Sequence, residues 1–139
     1  MRILAVDPGE KHLGLAVSDP TGTIARSLTT LKHVSRSIDA AVIAGLALEN
    51  EVGLIIIGQA LDGEGNVGLR ARQALRLAEA IRLQTSLPVD MWDESGSTQT
   101  ARQARFEMGG NRRKRSGHLD DLAAVMILQD YLLNHEKSK

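Results

Sequence analysis

The stretch Ile3-Leu4-Ala5-Val6-Asp7-Pro8-Gly9-Glu10-Lys11-His12-Leu13-Gly14-Leu15-Ala16-Val17 constrains this chain more than any other. Four apolar residues run directly into a carboxylate, a turn follows, and a second apolar run leads back. An apolar run without polar interruption reads as a strand buried on both faces, and Pro8-Gly9 as the turn that ends it. Asp7 therefore falls at the open end of a buried strand. A carboxylate is costly to hold there unless a metal or another cation meets it.

Residues 2–6, 13–17 and 24–31 read as three strands, separated by Pro8-Gly9 and by Asp19-Pro20-Thr21-Gly22, and predict an antiparallel meander. From about Ser35 the pattern changes: Ile38, Val42 and Leu46, with Ala41, Ala44 and Leu48, recur at helical spacing up to Gly53. Leu54-Ile55-Ile56-Ile57, closed by Gly58, reads as a fourth strand covered on both faces. A second helix is predicted from roughly Leu69 to Gln84, on the strength of Ala71, Ala74, Leu75, Ala78 and Ile81. After Pro88 comes a fifth strand, Val89-Asp90-Met91-Trp92, ending in Asp93-Glu94. Further helices are expected around Thr98 to Met108 and from about Leu119 to Leu133. The order implies an α/β fold: a mixed five-stranded sheet, three antiparallel strands then αβα units, flanked by helices. With 139 residues and 42% apolar content, one domain over 1–139 with a real core is expected, followed by a short loose tail.

Composition excludes several classes of function. Seventeen Lys and Arg balance seventeen Asp and Glu, so any affinity for nucleic acid must come from a local patch. The absence of cysteine removes disulfides, thiolate chemistry and zinc–thiolate sites, and fits a reducing cytoplasmic setting. The longest apolar stretch, Ala40 to Leu48, is too short to span a membrane, and no signal peptide is visible, so a soluble chain without membrane association is expected. Trp92, Tyr131 and Phe106 are the only aromatics, too few for a base-stacking platform, so a nucleic acid would be held mostly by its backbone.

Three acidic positions matter together. Asp7 ends the first strand, Asp93-Glu94 ends the fifth, and Asp120-Asp121 opens the last helix. If strands one, four and five are parallel neighbours, their carboxyl ends share one edge, where open α/β sheets place their sites. Taken singly, each has an ordinary reading: a turn, a helix cap, acids favoured by a helix dipole. Gathered together they repel unless divalent cations neutralise them, and oxygen ligands without a His or Cys cluster select Mg²⁺ or Mn²⁺. Two such ions, roughly 3.5–4 Å apart, can activate a water and stabilise a leaving oxygen in phosphodiester hydrolysis.

A basic loop, Arg112-Arg113-Lys114-Arg115 beside Gly109-Gly110 and Gly117, immediately precedes the acidic helix and can hold a phosphate backbone near that edge. Arg70, Arg72 and Arg76 on the second helix offer another contact face. Short basic runs are also ordinary solvated loops.

Four segments, in order along nearly the whole chain, resemble the YqgF family, relatives of the RuvC Holliday-junction resolvases. They are Asp7-x-Gly9-x-Lys11-x-x-Gly14-Leu15-Ala16-Val17-Ser18; Ile55-Ile56-Ile57-Gly58 with Asp62-Gly63; Asp93-Glu94 with Ser97-Thr98 and Ala101; and Asp120-x-Leu122-Ala123-Ala124-Val125-x-Ile127-Leu128. The resemblance implies a ribonuclease H-like fold and a nuclease that matures the 5′ end of precursor 16S rRNA, with Holliday-junction resolution as the older proposal. It implies that Asp7, Glu94 and Asp120 are the catalytic metal ligands, Asp7 bridging two ions, and that Lys11 steadies the scissile phosphate. Asp121 is an added acid where the family commonly has a small residue, a further metal ligand or a group that faces water. Gln59-Ala60 stands where the family usually has an apolar residue and proline, Ser95-Gly96 where it has arginine after the acidic pair, and His12 where arginine is common. The missing arginine takes away a phosphate or carboxylate partner beside Glu94.

Three classes of function follow: a Mg²⁺- or Mn²⁺-dependent endonuclease on precursor rRNA or branched DNA, an actin-like phosphotransferase, and a non-catalytic ribosome-assembly factor that binds nucleic acid. The second needs a second phosphate-binding hairpin, which the sequence does not show. A junction resolvase would act as a homodimer, whereas an RNA processor can act as a monomer. Reversing charge at Arg112, Arg113 and Arg115 is expected to weaken substrate binding and flatten its salt dependence. Filter binding over a salt series checks this, and unchanged affinity would remove the patch from the site.

Overall fold

The apolar runs form strands where their patterns place them. The computed structural model describes residues 1–59, 68–93 and 119–137, with helical backbone alone at 119–121 and 136–137. In it β1 (Arg2–Pro8), β2 (His12–Ser18) and β3 (Ala25–Lys32) form the expected antiparallel meander. β4 (Val52–Gln59) then pairs parallel to β1, and β5 (Val89–Asp93) parallel to β4. The sheet order is β3-β2-β1-β4-β5, so β1 lies at the centre and strands one, four and five are parallel neighbours.

Side-chain alternation divides the core in two. Leu4, Val6, Leu15, Ile55 and Ile57 pack on one face beneath α1 (Arg36–Glu49) and α2 (Leu69–Arg82). Ile3, Ala5, Ala16 and Ile56 pack on the other beneath α3 (Leu119–Lys137), through its Ala124, Ile127, Leu128 and Tyr131. Each fully buried branched side chain contributes about 1.5–3 kcal/mol of transfer free energy. β1 and β4 are buried on both faces, which is why their central residues are apolar without alternation. Gly53 lies where the β1–β4 register slips, and a Cβ there would come within 2.6 Å of the Met1 Sδ.

The first helix forms with its predicted start but turns a different face inward. Ser35 is the N-cap, its hydroxyl accepting from the Ile38 amide at 3.3 Å. Ala40, Ile43 and Ala47 are buried, whereas Ile38, Val42 and Leu48 are exposed. Residues 40–48 are apolar nearly all the way round, so periodicity alone cannot choose a face; the small Ala40 and Ala47 let the helix approach the sheet closely. The helix stops at Glu49 rather than near Gly53, because Asn50 caps it and Glu51 turns left-handed at φ 57°. α2 ends at Arg82, two residues short of the expected limit, and buries Leu77 with Ala71, Ala74, Ala78 and Ile81. The last helix runs four residues beyond Leu133, and the helix expected over 98–108 lies outside the described residues. Among the described residues no helix is long and apolar enough to cross a membrane.

A buried hydroxyl and an exposed carboxylate hold the far end of the meander. Ser18, fully buried, accepts from the Ile3 amide at 2.9 Å and donates to the Asp19 carbonyl at 3.1 Å. The Asp19 carboxylate accepts from the Ile24 and Thr23 amides and from the Thr21 hydroxyl. The Ile24 amide, then Thr21 and Thr23, hold its pKa well below the ordinary carboxylate range. Ser18→Ala is expected to leave the Ile3 amide without its partner and to lower stability by about 1–3 kcal/mol. Urea denaturation of the variant measures this directly.

Candidate functional site at the carboxyl edge of the sheet

Asp7 sits one residue past the apolar core of β1 and is half-buried. Alternation from Ile3 and Ala5 puts it on the α3 face of the sheet. Opposite it on β2 is Gly14, and one step beyond the Val6–Ile57 pair on β4 is Gly58, itself level with Trp92 on β5. Asp7 is thus flanked on both neighbouring strands by residues that present no side chain to that face. Trp92 closes the row two strands away, roughly 10 Å from Asp7 at an inter-strand spacing of about 4.8 Å.

The other sequence-predicted residues divide into those the structure places and those that lie outside the described residues. Asp93 pairs with Gln59 at the same edge, but its position alternates with Trp92, which gives it the parity of Val89 and Met91 on the α1/α2 face. Glu94 and the basic run Arg112, Arg113, Lys114 and Arg115 lie outside the described residues. Asp120 and Asp121 stand in the first turn of α3, the helix that covers the Asp7 face; their side chains lie outside the described set. Lys11 is exposed just before β2, and its carbonyl accepts from the His33 amide at 2.8 Å. Arg70 and Arg72 are exposed on α2, across the sheet from Asp7, so they do not join its cluster.

Among the described residues no three His, Asp or Glu side chains gather as a group able to hold a metal ion. Any further carboxylates for a metal centre at Asp7 therefore belong to side chains outside the described residues. The donor chemistry fits a hard divalent cation: a half-buried carboxylate at a strand end, with no cysteine in the chain and open floor on either side.

Three features went unread in the sequence. Trp92 Nε1 donates to the Asp130 carboxylate at 2.9 Å, and its ring meets Tyr131 edge-on at a centroid distance of 5.2 Å. Tyr131 in turn stacks on His135 at 3.7 Å, and burial followed by the nearby Asp90 charge raises its hydroxyl pKa. This cluster pins α3 to the edge strand on the Asp7 side. The second feature is Asp39, 4% exposed in the first turn of α1, which accepts from Val34 N at 3.1 Å and contacts His33 Nδ1 at 2.5 Å. The third is a cavity of about 390 Å³ on the α1/α2 face, lined by Pro8, Leu13, Arg36, Arg70, Gln73 and Leu77 among others. An acid in the first turn after a serine cap was the only sequence signal for any of these; the aromatic cluster joins residues too distant in sequence for local patterns to connect.

Comparison with known proteins covers almost the whole chain. Residues 1–134 match the family model RuvX, described as Holliday junction resolvase. A protein of Thermoanaerobacter pseudethanolicus named "Putative pre-16S rRNA nuclease" is 39% identical over 140 residues, all of both chains. A protein of the same name from Clostridium acetobutylicum is 36% identical over 132 residues, 95% of this chain and 98% of the other. Among solved structures, Thermus thermophilus RuvC in complex with a Holliday junction substrate superposes with a TM-score of 0.60 at 18% identity, over 97% of this chain and 96% of that one. At that identity the likeness speaks to the fold, which is RuvC-like and ribonuclease H-like.

Because Trp92 is the single tryptophan, its emission reports directly on how α3 docks. Asp130→Ala is expected to shift that emission and to cost about 1–2 kcal/mol by leaving the half-buried indole N–H unpaired. A urea titration followed by fluorescence reads both effects.

Proposed function

This chain belongs to the RuvX family of Holliday junction resolvases, and from that membership we propose that it is a divalent-metal-dependent endonuclease that matures the 5′ end of precursor 16S rRNA. That it is a nuclease, a hydrolase of phosphodiester bonds, follows from the family and its relatives. The observation that carries the site assignment is the position of Asp7: half-buried at the carboxyl end of the central strand, on the α3 face, between Gly14 and Gly58.

Asp7, Glu94 and Asp120 are proposed as the carboxylates that would hold the metal, with Asp121 supporting. Glu94 is preferred to Asp93 because Asp93 has the parity of the opposite face. Asp120 is preferred because α3 covers the Asp7 face. When bound, Mg²⁺ or Mn²⁺ neutralises the carboxylates, lowers the pKa of water and offsets charge on phosphoryl oxygens. Asp7 fixes the position of that chemistry relative to the sheet, because its strand is locked between two others. The two flanking glycines leave room for a sugar–phosphate backbone to approach the carboxylate. Lys11, exposed after the β1–β2 turn, is proposed to steady the phosphate by charge, and the basic run 112–115 to hold the flanking backbone.

Precursor rRNA is preferred as substrate because the relatives at 36–39% identity carry that name over nearly their full length. Holliday-junction cleavage is the second reading, favoured by the family description and by the fold shared with RuvC. It requires a homodimer to cut two strands symmetrically, whereas the rRNA reading is satisfied by a monomer.

Asp7→Asn is expected to lower turnover by at least about a hundredfold while leaving the fold intact, because it removes one ligand and one repelling charge. Incubating parent and variant with precursor 16S rRNA and with a four-way DNA junction, in Mg²⁺, Mn²⁺ and EDTA, checks this. Metal-dependent cutting of one substrate by the parent, lost in the variant, identifies the reaction. Binding without cutting by the parent would replace the nuclease with an assembly factor.

A further inference from the structure

The cavity of about 390 Å³ lies on the face of the sheet that Asp7 does not occupy, beneath the β1–β2 turn. Its lining combines apolar residues, Pro8, Leu13 and Leu77, with two arginines, Arg36 and Arg70, and the polar Gln73. Arg36 is the first residue of α1 and Arg70 the second of α2, so both cations stand at helix N-termini; on α1 the Ser35 cap and Asp39 offset the positive end of the peptide dipoles, and on α2 nothing in the first turn does. Gly68 offers α2 no side-chain cap, and its first turn carries no acid, so that positive end is not offset by a neighbouring carboxylate on the helix.

We propose that this cavity is a subsite for one nucleoside monophosphate unit, its phosphate held between Arg36 and Arg70 and its base laid on the apolar lining of Leu13 and Leu77 against Gln73. Volume separates a nucleotide from a bare phosphate. A phosphate alone would leave most of the space and all of the apolar lining unused, whereas small-molecule sites begin at about 300 Å³ and pair an apolar lining with a few placed polar groups. Planar guanidinium forks match phosphate oxygens two at a time. The carboxylates of the lining do not oppose this placement equally. Asp39 is committed to His33 and to the Val34 amide, which leaves Glu10 as the other lining carboxylate, an acceptor suited to an amino group of a base rather than to a phosphate.

The nucleotide has two sources: a unit of the substrate strand passing over the sheet edge from the Asp7 face, which rests on the nuclease reading, or a free mononucleotide, which does not. The full chain is titrated calorimetrically, in EDTA, with the four ribonucleoside monophosphates, with inorganic phosphate and with a short single-stranded RNA. EDTA keeps the Asp7 centre out of the measurement, so a failed cleavage assay and a failed titration are separate results. At least one monophosphate is expected to bind one per chain, about tenfold or more tighter than phosphate. Gln73→Trp, on the exposed side of α2 with its side chain in the cavity, is expected to abolish that binding with an unchanged circular dichroism spectrum. Should that variant not fold, Arg36→Gln is expected to weaken binding by about tenfold. Competition by the RNA assigns the site to the substrate strand, and monophosphate binding without competition assigns it to a free nucleotide. No saturable binding of any monophosphate, phosphate binding as tightly as the monophosphates, or affinity unchanged by the variants would overturn the proposal.

Discussion

A strand buried on both faces offers no water to a charged side chain until its last residue. β1 is such a strand, hydrogen-bonded to β2 on one edge and β4 on the other and covered above and below by helices. Everything about the candidate site follows from that enclosure. The carboxylate can appear only where the strand emerges, and the parallel pairing of β1, β4 and β5 brings all three emergent ends to one edge. The same alternation that fills two cores selects which side of the edge each end residue serves.

Much of this was legible in the sequence, for a physical reason. Apolar runs such as Leu54-Ile55-Ile56-Ile57 have few alternatives once they are too short for a helix and are bounded by glycine, and the chain of five strands has few sensible topologies. Asp7 was legible because a charge interrupting such a run must be explained. The inward face of α1 was not, because a helix apolar nearly all round carries no periodicity to read, and packing distance rather than hydropathy decided for Ala40, Ile43 and Ala47. Arg70 and Arg72 read in the sequence as a second contact face; which side of the sheet that face serves is set only by the packing of α2 on the side opposite Asp7. The Trp92–Asp130 bond joins residues 38 apart in sequence, a pairing that no local pattern encodes.

The edge of the sheet therefore has two sides with different chemistry. On the α3 side, the face presents a carboxylate between glycines, suited to hard cations. On the α1/α2 side it presents arginines at two helix N-termini beside an apolar lining, suited to anions with a flat apolar body. Among the described residues, the β1–β2 turn, Pro8-Gly9-Glu10-Lys11, joins two strands at this edge; it follows Asp7 directly, and its Pro8, Gly9 and Glu10 line the cavity.

The central position of β1 also bears on how the chain is made. Its first neighbour, β2, follows at once, but its other partner, β4, begins only at Val52, after β3 and the whole of α1. While a ribosome is extending the chain through that interval, the meander can zip together with one long side of β1 still bare. Parallel pairing across so many residues closes slowly, and an unpaired apolar strand edge is a template for neighbouring chains. Until β4 arrives, α1 is the only completed helix, and it packs on a face of the meander rather than along the bare edge, which β4 alone closes.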